Sequence, residues 1–315
     1  MNLVRYIGKR LVISTGLLFV ASIIVFMIIH LLPGDPAKII LGNMATDKSI
    51  ASLRRKLGLH LPLWKQYVNW VSGILSGNWG ESLINDKSVL VLMETRYPRS
   101  LQIAVTSMAI SLVVAFPLGV LAALNRNSIV DYVAVVFSQL GVSLPSFWLG
   151  IILILVFAKW LNVFPPSGYV PLTEGPVTSM LHTVLPAVAL GLINAAIFTR
   201  YLRSELLEEF NKDYVRTARA FGHPRRRIVW KYVLRNAVIP TLTIMGIQFG
   251  YMIGGIVIIE QVFVYPGIGQ LILDGLLKRD YPVVQMGLLL LAATFILTNL
   301  VVDVLYGVLD PRARV

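Results

Sequence analysis

The sequence contains no cysteine and only four histidines among its 315 residues. Disulfide bonds and thiolate metal sites are therefore excluded, and thiol usage says nothing about the redox compartment. The histidines (His30, His60, His182 and His223) are scattered and form no HExxH pair, and no GxxxxGK[ST] run is present. These absences argue against an enzyme, a resident metal or a nucleotide site in this chain.

Charged residues are also scarce, at 14% of the chain, whereas 56% is hydrophobic and the mean hydropathy is +0.74. The apolar residues fall in blocks of about 20, long enough to cross a bilayer. The first block is too long for a typical signal-peptide core and no small-x-small cleavage site follows, so we expect it to be retained. We predict six spans, near residues 11–31, 101–124, 133–159, 183–201, 237–262 and 283–306.

Lysine and arginine are distributed unevenly between the two ends of these spans. With six spans both termini share one side, which also holds ten basic residues between Arg200 and Arg235. The short opposite loops hold only Lys159, Lys278 and Arg279. The positive-inside rule therefore predicts cytoplasmic termini and a cytoplasmic 200–235 loop. The net charge of +12 could also indicate nucleic-acid binding, which we reject because the basic residues lie beside spans.

The segment between the first two spans, residues 32–99, is predicted to be external. Its apolar residues recur at helical spacing: Trp64, Tyr67, Val68, Val71, Ile74 and Leu75. This pattern predicts an amphipathic helix that lies on the membrane face or against the bundle. The alternative is a segment that packs a small domain of its own.

The most informative segment is the run Asp213–Gly222, inside the basic loop. Asn211 to Asp213 offer a helix start, since short polar side chains can cap free backbone N–H groups. A short helix is predicted from Tyr214 to Phe221, followed by Gly222 in the left-handed conformation. Pro224 prevents the helix from continuing.

Small residues distinguish this predicted helix from an ordinary charged loop. Ala218 and Ala220 present little bulk, so we expect a partner surface to approach them closely. The alternative is a solvated basic loop that fixes topology and touches anionic lipid.

Small and polar residues inside the spans are candidates for a transport pathway. Gly246, Gly250 and Gly254 recur every four residues, which favours close approach of another helix, either for packing or to line a pathway. Buried polar groups in a membrane need partners and often mark a pathway. The polar candidates, with interhelical hydrogen bonding as the alternative, are Gln139, Ser143, Asn194 and Gln248.

Two acidic residues and three prolines in the spans receive structural interpretations. We expect Asp303 to be an ion-pair partner rather than a substrate ligand, and Glu260 to brace the turn that follows its helix. Pro117, Pro145 and Pro186 are expected to bend their helices, because each removes a backbone hydrogen bond.

The basic loop resembles the EAA-type motif of ABC-importer permeases, which forms a coupling helix against the ATPase subunit. It is most similar to the peptide/nickel branch, roughly D-Y-x-R-T-A-R-A-K-G and then H-x-x-R-N. The matching residues are Asp213, Tyr214, Arg216, Thr217, Ala218, Arg219, Ala220, Gly222, Arg235 and Asn236. Phe221 and Tyr232 depart from the frequent lysine and histidine, which affects the details of docking.

Other segments resemble the same family in order along the whole chain. They include Leu32–Pro36 after the first span, stretches from Leu57 to Ser82, and residues 279–285 and 299–306. The turn after the fifth span also matches, through Glu260, Phe263, Pro266, Gly267 and Gly269.

The resemblance implies an all-α integral membrane protein with six transmembrane helices and the type I ABC-importer permease fold. Its expected parts are residues 1–31, a tail and first helix, and residues 32–99, the external segment. Residues 100–315 then form a five-helix core that contains the coupling loop, 202–236.

The resemblance further implies a transport subunit of the bacterial inner membrane that moves di- or oligopeptides, or glutathione-like peptides, by alternating access. A nickel or metal-chelate importer is one alternative. A secondary transporter is another, and it would require ionisable residues at mid-membrane and inverted repeats.

The expected partners of such a subunit carry the chemistry that this chain lacks. They are a second homologous permease in a heterodimer, one or two ATPase subunits, an extracytoplasmic solute-binding protein and membrane lipid, with no nucleic acid. ATP and Mg²⁺ are expected on the ATPase subunits, and no metal is expected in this chain.

Overall fold

A computed structural model describes residues 3–31, 46–56 and 58–309, and almost all of them are helical. The helices are α1 (Leu3–Leu31), α2 (Asp47–Lys56), α3 (Leu63–Leu75), α4 (Val89–Leu124), α5 (Ile129–Ser143), α6 (Ser146–Trp160), α7 (Pro176–Phe210), α8 (Asp213–Ala220), α9 (Arg225–Val262), α10 (Ile268–Lys278) and α11 (Tyr281–Leu309). The only extended pairing among these residues is an isolated bridge between Glu81 and Ser88. The Leu32–Pro36 motif, Leu57 and the C-terminal arginines Arg312 and Arg314 lie outside the described residues.

Five of the predicted spans are single long helices. α1, α4, α7, α9 and α11 are each long and apolar enough to cross a membrane. Each extends beyond its predicted block at one end or both. The all-α membrane fold class is therefore confirmed.

The third predicted span, 133–159, is wrong as a single helix. Two helices, α5 and α6, replace it and are bent by 106° relative to each other. Leu144 before the proline is extended (φ −89°, ψ 130°), as steric conflict with a following proline ring favours. Pro145 itself has no N–H to continue the helix, so α6 starts afresh at Ser146. The pair counts as the sixth span only if both helices together cross the membrane.

Two helices contain a wider π-helical segment. These segments are Ile154–Trp160 at the end of α6 and Ile228–Val233 near the start of α9. Such insertions are rare and often occur at functional sites.

The chain divides into two compact units. The first comprises Met1–Ile13, Leu101–Tyr265 and Leu297–Val315, and α7 is its central helix, packed against α5, α6 and α9. The packing is close where small residues face each other: a Cβ on Gly141 of α5 would collide with Ala196 of α7. The Ser111 hydroxyl of α4 donates to the Gly191 carbonyl of α7 over 2.8 Å, so polar groups also join the helices.

The second unit comprises Ser14–Ser100 and Pro266–Ile296. The predicted amphipathic helix is present in it as α3. Tyr67 packs edge-on against Phe26 of α1 and forms a 2.7 Å hydroxyl hydrogen bond with Ser22. Trp64 and Leu75 lie on the other side of α3 and are 64% and 83% exposed. The apolar stripe is therefore divided between an inner face and an outer face.

Ion pairs join the helices of the first unit. Arg203 of α7 contacts both carboxylate oxygens of Asp131 on α5, at 2.5 and 2.9 Å. Arg10 of α1 pairs with Asp303 of α11 at 2.8 Å, and Tyr6 donates to the Asp303 carbonyl. The prediction that Asp303 is an ion-pair partner is confirmed.

Replacing Asp131 with Asn should lower the free energy of unfolding by about 2 kcal/mol. Removing one partner of a fully buried pair costs about 3–5 kcal/mol, and a quarter-exposed arginine reduces that penalty. The Asp131 side chain is 5% exposed and that of Arg203 is 24% exposed. Denaturant unfolding in detergent, followed by tryptophan fluorescence, measures the change.

Asp213→Asn is the matched control, because the Asp213–Arg216 pair is 94% and 75% exposed. A much smaller change in stability is expected for it, because this pair is exposed and only the favourable charge in the first turn of α8 is lost. Equal stability of the two variants would contradict a structural role for the Asp131–Arg203 pair.

Candidate functional site

Helix α8, which contains most of the predicted coupling residues, is anchored by a buried carboxylate. Glu209, near the end of α7, is 6% exposed and accepts a 2.5 Å hydrogen bond from the Tyr214 hydroxyl. The Lys212 ammonium donates to the other carboxylate oxygen. The charge of Glu209 is thus balanced in place, and α8 is attached to α7 through side chains as well as through the backbone.

These contacts also fix the protonation of the donors. Burial, together with the bond to Glu209, raises the pKa of Tyr214 to about 12. The hydrogen bond to Glu209 raises the pKa of Lys212 above its usual value. Both groups therefore remain protonated donors at neutral pH.

The start of α8 differs from the predicted polar cap. The residue before the helix is Lys212, with an extended backbone (φ −72°, ψ 150°) and no side-chain capping bond. Asn211 is used one step earlier, at the end of α7, where its amide donates to the Leu207 carbonyl. Asp213 lies in the first turn, where its negative charge interacts favourably with the positive end of the helix dipole.

The two faces of α8 have different surroundings. Val215 is fully buried and Ala218 is partly buried, both against a cluster that includes Leu206 and Ile228. Ala218 therefore contributes to internal packing, and the expectation that a partner approaches it closely stays a prediction. The outer face consists of exposed residues: Arg216, Thr217, Arg219, Ala220 and Phe221.

The end of α8 has the predicted conformation. Gly222 has φ +71°, which side chains with a Cβ rarely adopt. The His223 amide donates to the Ala218 carbonyl and the Gly222 amide to the Arg219 carbonyl, as in a Schellman motif. The His223 ring stacks on Tyr232, with 5.9 Å between centroids.

The first part of the predicted turn after α9 belongs to the first unit. Glu260 and Phe263 are buried, and the Phe263 carbonyl accepts a 3.1 Å bond from the Gly168 amide. The Tyr265 amide donates to the Glu260 carbonyl, which closes the helix end. Val264 has φ +47°, an uncommon conformation for a β-branched residue that the bonds on both sides hold in place.

The second part of this turn belongs to the second unit. The Pro266 carbonyl accepts from Arg99, and the Ile268 amide donates to the Ser100 hydroxyl over 2.7 Å. Gly267 precedes α10 in an extended conformation, and Gly269 is buried in its first turn.

The predicted pathway residues lie in unlike environments. Asn194 is buried and donates to the Leu190 carbonyl of its own helix. Gln139 and Ser143 are exposed, and the Ser143 hydroxyl donates back to the Gln139 carbonyl. Gln248 is half-buried, and no hydrogen bond joins it to Asn194 in the described part of the chain.

The glycines of α9 are not equivalent either. A Cβ on Gly246 would collide with Val302 of α11, and Gly250 is buried. A Cβ on Gly254 would meet nothing within 4 Å. Close packing therefore accounts for Gly246, whereas the pathway role of the seven candidates stays a prediction.

Known families account for nearly the whole length of the chain. Residues 115–315 match "Binding-protein-dependent transport system inner membrane component", and residues 3–104 match the N-terminal region of the same kind of component. The chain belongs to this family. It is therefore an inner-membrane permease subunit, and the predictions of family, transport function and absence of catalysis by the chain itself are confirmed.

Curated relatives of this permease are similar from end to end. A probable peptide ABC transporter permease protein, y4tP, of Sinorhizobium fredii is 40% identical over 98% of this chain and 99% of its own. The glutathione transport system permease protein GsiC of Escherichia coli (strain K12) is 38% identical over 99% of both.

A solved structure supports the fold alone. An inward-facing MetNI methionine ABC transporter matches with a TM-score of 0.56 and 19% identity, covering 70% of this chain and 96% of that one. The type I permease fold is thus confirmed. A permease of this family functions with a substrate-binding protein and an ATPase.

Sequence reasoning missed two features of the candidate site. Glu209 was not identified as the anchor of α8, although an acidic residue three positions before Lys212 and five before Tyr214 was a signal. Phe221 was noted only as a departure from the family pattern, yet it is 79% exposed at the end of α8. A large apolar side chain in a polar loop is the signal that could have identified it.

Replacing Gly222 with Ala should lower stability by about 1 kcal/mol through backbone strain and should also reduce ATP-coupled transport. The surroundings are open, so the change acts on the backbone rather than through a clash. Transport in proteoliposomes and thermal unfolding of the same samples measure the two effects.

Gly77→Ala provides the control, since Gly77 has φ +81° and equally open surroundings after α3. It should cost similar stability but leave ATP coupling intact. If both variants lost coupling to the same extent, the effect would be general strain and not the shape of the α8 end.

Proposed function

We propose that this permease carries short peptides, glutathione-like peptides among them, by alternating access. The support is sequence similarity to two relatives over essentially the full chain. One relative is named for peptide transport and the other for glutathione transport. Both cargos are short, flexible and polar, and each carries charged termini. One pathway chemistry would therefore serve both.

We further propose that the outer face of α8 docks the ATPase. The observation that carries this proposal is the division of α8 into a fully buried Val215 and an exposed face ending at Phe221. The inner face contacts a cluster drawn from α4, α7 and α9: Val120, Leu202, Leu206, Ile228 and Val233. A displacement of α8 would therefore be passed directly to three long helices.

The anchor at Glu209 makes this transmission mechanically direct. Its bonds to Tyr214 and Lys212 prevent α8 from hinging freely on the end of α7. The π-helical segment Ile228–Val233 lies near the start of α9, the next helix after α8. π-Helical segments are rare and often occur at functional sites. We propose that α9 accommodates a displacement of α8 by rearranging its hydrogen bonds in this segment.

Two finer features belong to the same proposal. The second permease subunit is a related but distinct chain, and the open surroundings of Gly254 leave room on α9 for a neighbouring helix. The termini and α8 lie in the cytoplasm, because the basic residues are concentrated there.

Phe221→Ala should weaken ATPase docking about tenfold or more while leaving the stability of the permease unchanged. Burying a phenylalanine contributes about 1.5–3 kcal/mol, and this side chain has little internal contact to lose. Titration of the purified ATPase onto permease in nanodiscs measures the affinity.

Leu75→Ala removes an 83% exposed apolar side chain from α3 and is the control. It should not change ATPase affinity. Wild-type affinity for Phe221→Ala would contradict the assignment of this face as the docking surface.

Reconstituted transporter should take up labelled glutathione and dipeptides only when both ATP and the solute-binding protein are present. Unlabelled peptides should compete with the label, whereas free Ni²⁺ should not. Uptake of peptide without ATP would contradict the ABC mechanism. Binding-protein-dependent uptake of nickel alone would contradict the peptide assignment and leave the mechanism intact.

A further inference from the structure

A cavity of about 640 Å³ lies beside α8 in the first unit. It forms where α4 and α7 end and where α9 begins, so segments near the ends of three long helices enclose it. We call the apolar part of its lining, which includes Leu124, Phe210 and Ile228, its apolar floor. Arg126, Arg219, His223 and Arg225 line it as well, and its volume is typical of a small-ligand site.

The positive charge at this cavity is not neutralised within the described residues. No acidic side chain lines the cavity. No ion pair joins Arg126, Arg219 or Arg225 to a carboxylate of the described chain. The nearby acid Glu209 is already bound by Lys212 and Tyr214. Three arginines of the lining thus have no carboxylate within ion-pair distance among the described residues.

One of these arginines is held at the cavity by the backbone. The Arg225 guanidinium donates to the Leu124 carbonyl, the end of α4, over 3.0 Å. This bond uses one donor and leaves the remaining N–H groups of the guanidinium for a ligand. The position of Arg225 is therefore set before any ligand arrives.

Two exposed aromatic side chains lie close in sequence to the cavity lining. Trp230 directly follows Val229 of the cavity lining and is 59% exposed. Tyr132, in the first turn of α5, is 64% exposed. Exposed tryptophan and tyrosine side chains are enriched at the membrane–water interface. A lining that combines apolar and cationic side chains, with exposed aromatic residues nearby, matches the acyl chain and the phosphate of a lipid.

We propose that this cavity binds an anionic phospholipid, with the phosphate held by Arg126, Arg219 and Arg225 and the glycerol and upper acyl chains over the apolar floor. Planar guanidinium groups bind phosphate oxygens through paired hydrogen bonds. Free phosphate shares the headgroup chemistry but would leave the apolar floor without a partner. The lipid is therefore the favoured source of the phosphate.

The lipid would also contact the coupling segment, because Arg219 belongs to α8. Arg219 is also one of the exposed residues of the face that we propose docks the ATPase, so a bound lipid would border that face. This proposal is independent of the peptide assignment, since it concerns residues that lie outside the spans or at their ends.

The test is native mass spectrometry of the assembled transporter in mild detergent, titrated with phosphatidylglycerol, phosphatidylcholine or inorganic phosphate. Phosphatidylglycerol should be retained in preference to phosphatidylcholine. The double variant Arg126→Gln/Arg225→Gln should weaken its retention about 30-fold, because each cation near a lipid surface contributes about fivefold. Inorganic phosphate should not displace the lipid.

Two further variants separate charge from folding. Arg126→Lys/Arg225→Lys keeps both charges and should keep most of the lipid binding. Arg226→Gln/Arg227→Gln removes two neighbouring charges that do not line the cavity and should leave binding unchanged. If the first double variant does not assemble, Arg126→Gln and Arg225→Gln are tested singly, and each should cost about fivefold.

Four outcomes would overturn the proposal. Equal retention of phosphatidylcholine would show that charge is not selected. Displacement by inorganic phosphate would assign the site to the free anion. Equal losses for the two glutamine pairs would indicate a nonspecific basic surface. Lipid binding that disappears when the ATPase is present would make the cavity part of a protein interface.

Discussion

A bilayer interior offers no water to backbone N–H and C=O groups, so every peptide unit within it must be bonded inside the protein. The long helices satisfy that constraint directly, whereas the sharp break between α5 and α6 needs other hydrogen bonds. At the break, Pro145 has no N–H to leave unpaired, and its carbonyl accepts from the Leu149 amide at the start of α6. At the far end of α6, the Leu161 and Val163 amides return to the carbonyls of Val156 and Phe157. These bonds satisfy part of the backbone at the 106° bend and at the far end of α6.

The same constraint governs the carboxylates of the first unit. Asp131 is paired with Arg203, Asp303 with Arg10, and Glu209 with Lys212. If successive spans alternate in direction, the start of α5 and the ends of α7 and α11 lie on one side, so the three pairs lie at the same end of the bundle. This is also the end that carries α8. Ion pairs thus join the helices at the end of the bundle near water, whereas apolar and small residues occupy the middle of the spans.

The sequence was sufficient for elements whose signal is long and periodic. Five spans were predicted correctly because an apolar block of membrane length has few alternative structures. The left-handed conformation of Gly222 was predicted because glycine commonly adopts it at the end of a helix. The prediction of a single helix over 133–159 was wrong because hydropathy carries no information about the direction of the chain. Whether Pro145 bends a helix or ends it depends on the neighbouring helices.

The residues of α8 show a second limit of sequence reasoning. An eight-residue helix has too few positions for periodicity to show which face is inner. Ala218 and Ala220 look alike in sequence, but one packs on the hydrophobic cluster beside Val215 and the other is exposed. Glu209 is similar: its role depends on burial, which the adjacent exposed Glu208 does not share.

The three glycines of α9 show why spacing alone does not define a function. Their four-residue period places Gly246, Gly250 and Gly254 along one strip of the helix, where any of them would permit close approach. Val302 occupies the space beside Gly246, so the lack of a side chain at Gly246 is explained by close packing against α11. Gly254 gains nothing from its own chain, since the space where its Cβ would lie is open. A glycine in a helix interior costs roughly 1 kcal/mol relative to alanine, and at Gly254 no internal contact offsets that cost. The Gly254 end of the strip is therefore open to a neighbouring helix, which makes it a better candidate than the Gly246 end for a subunit contact or a pathway wall.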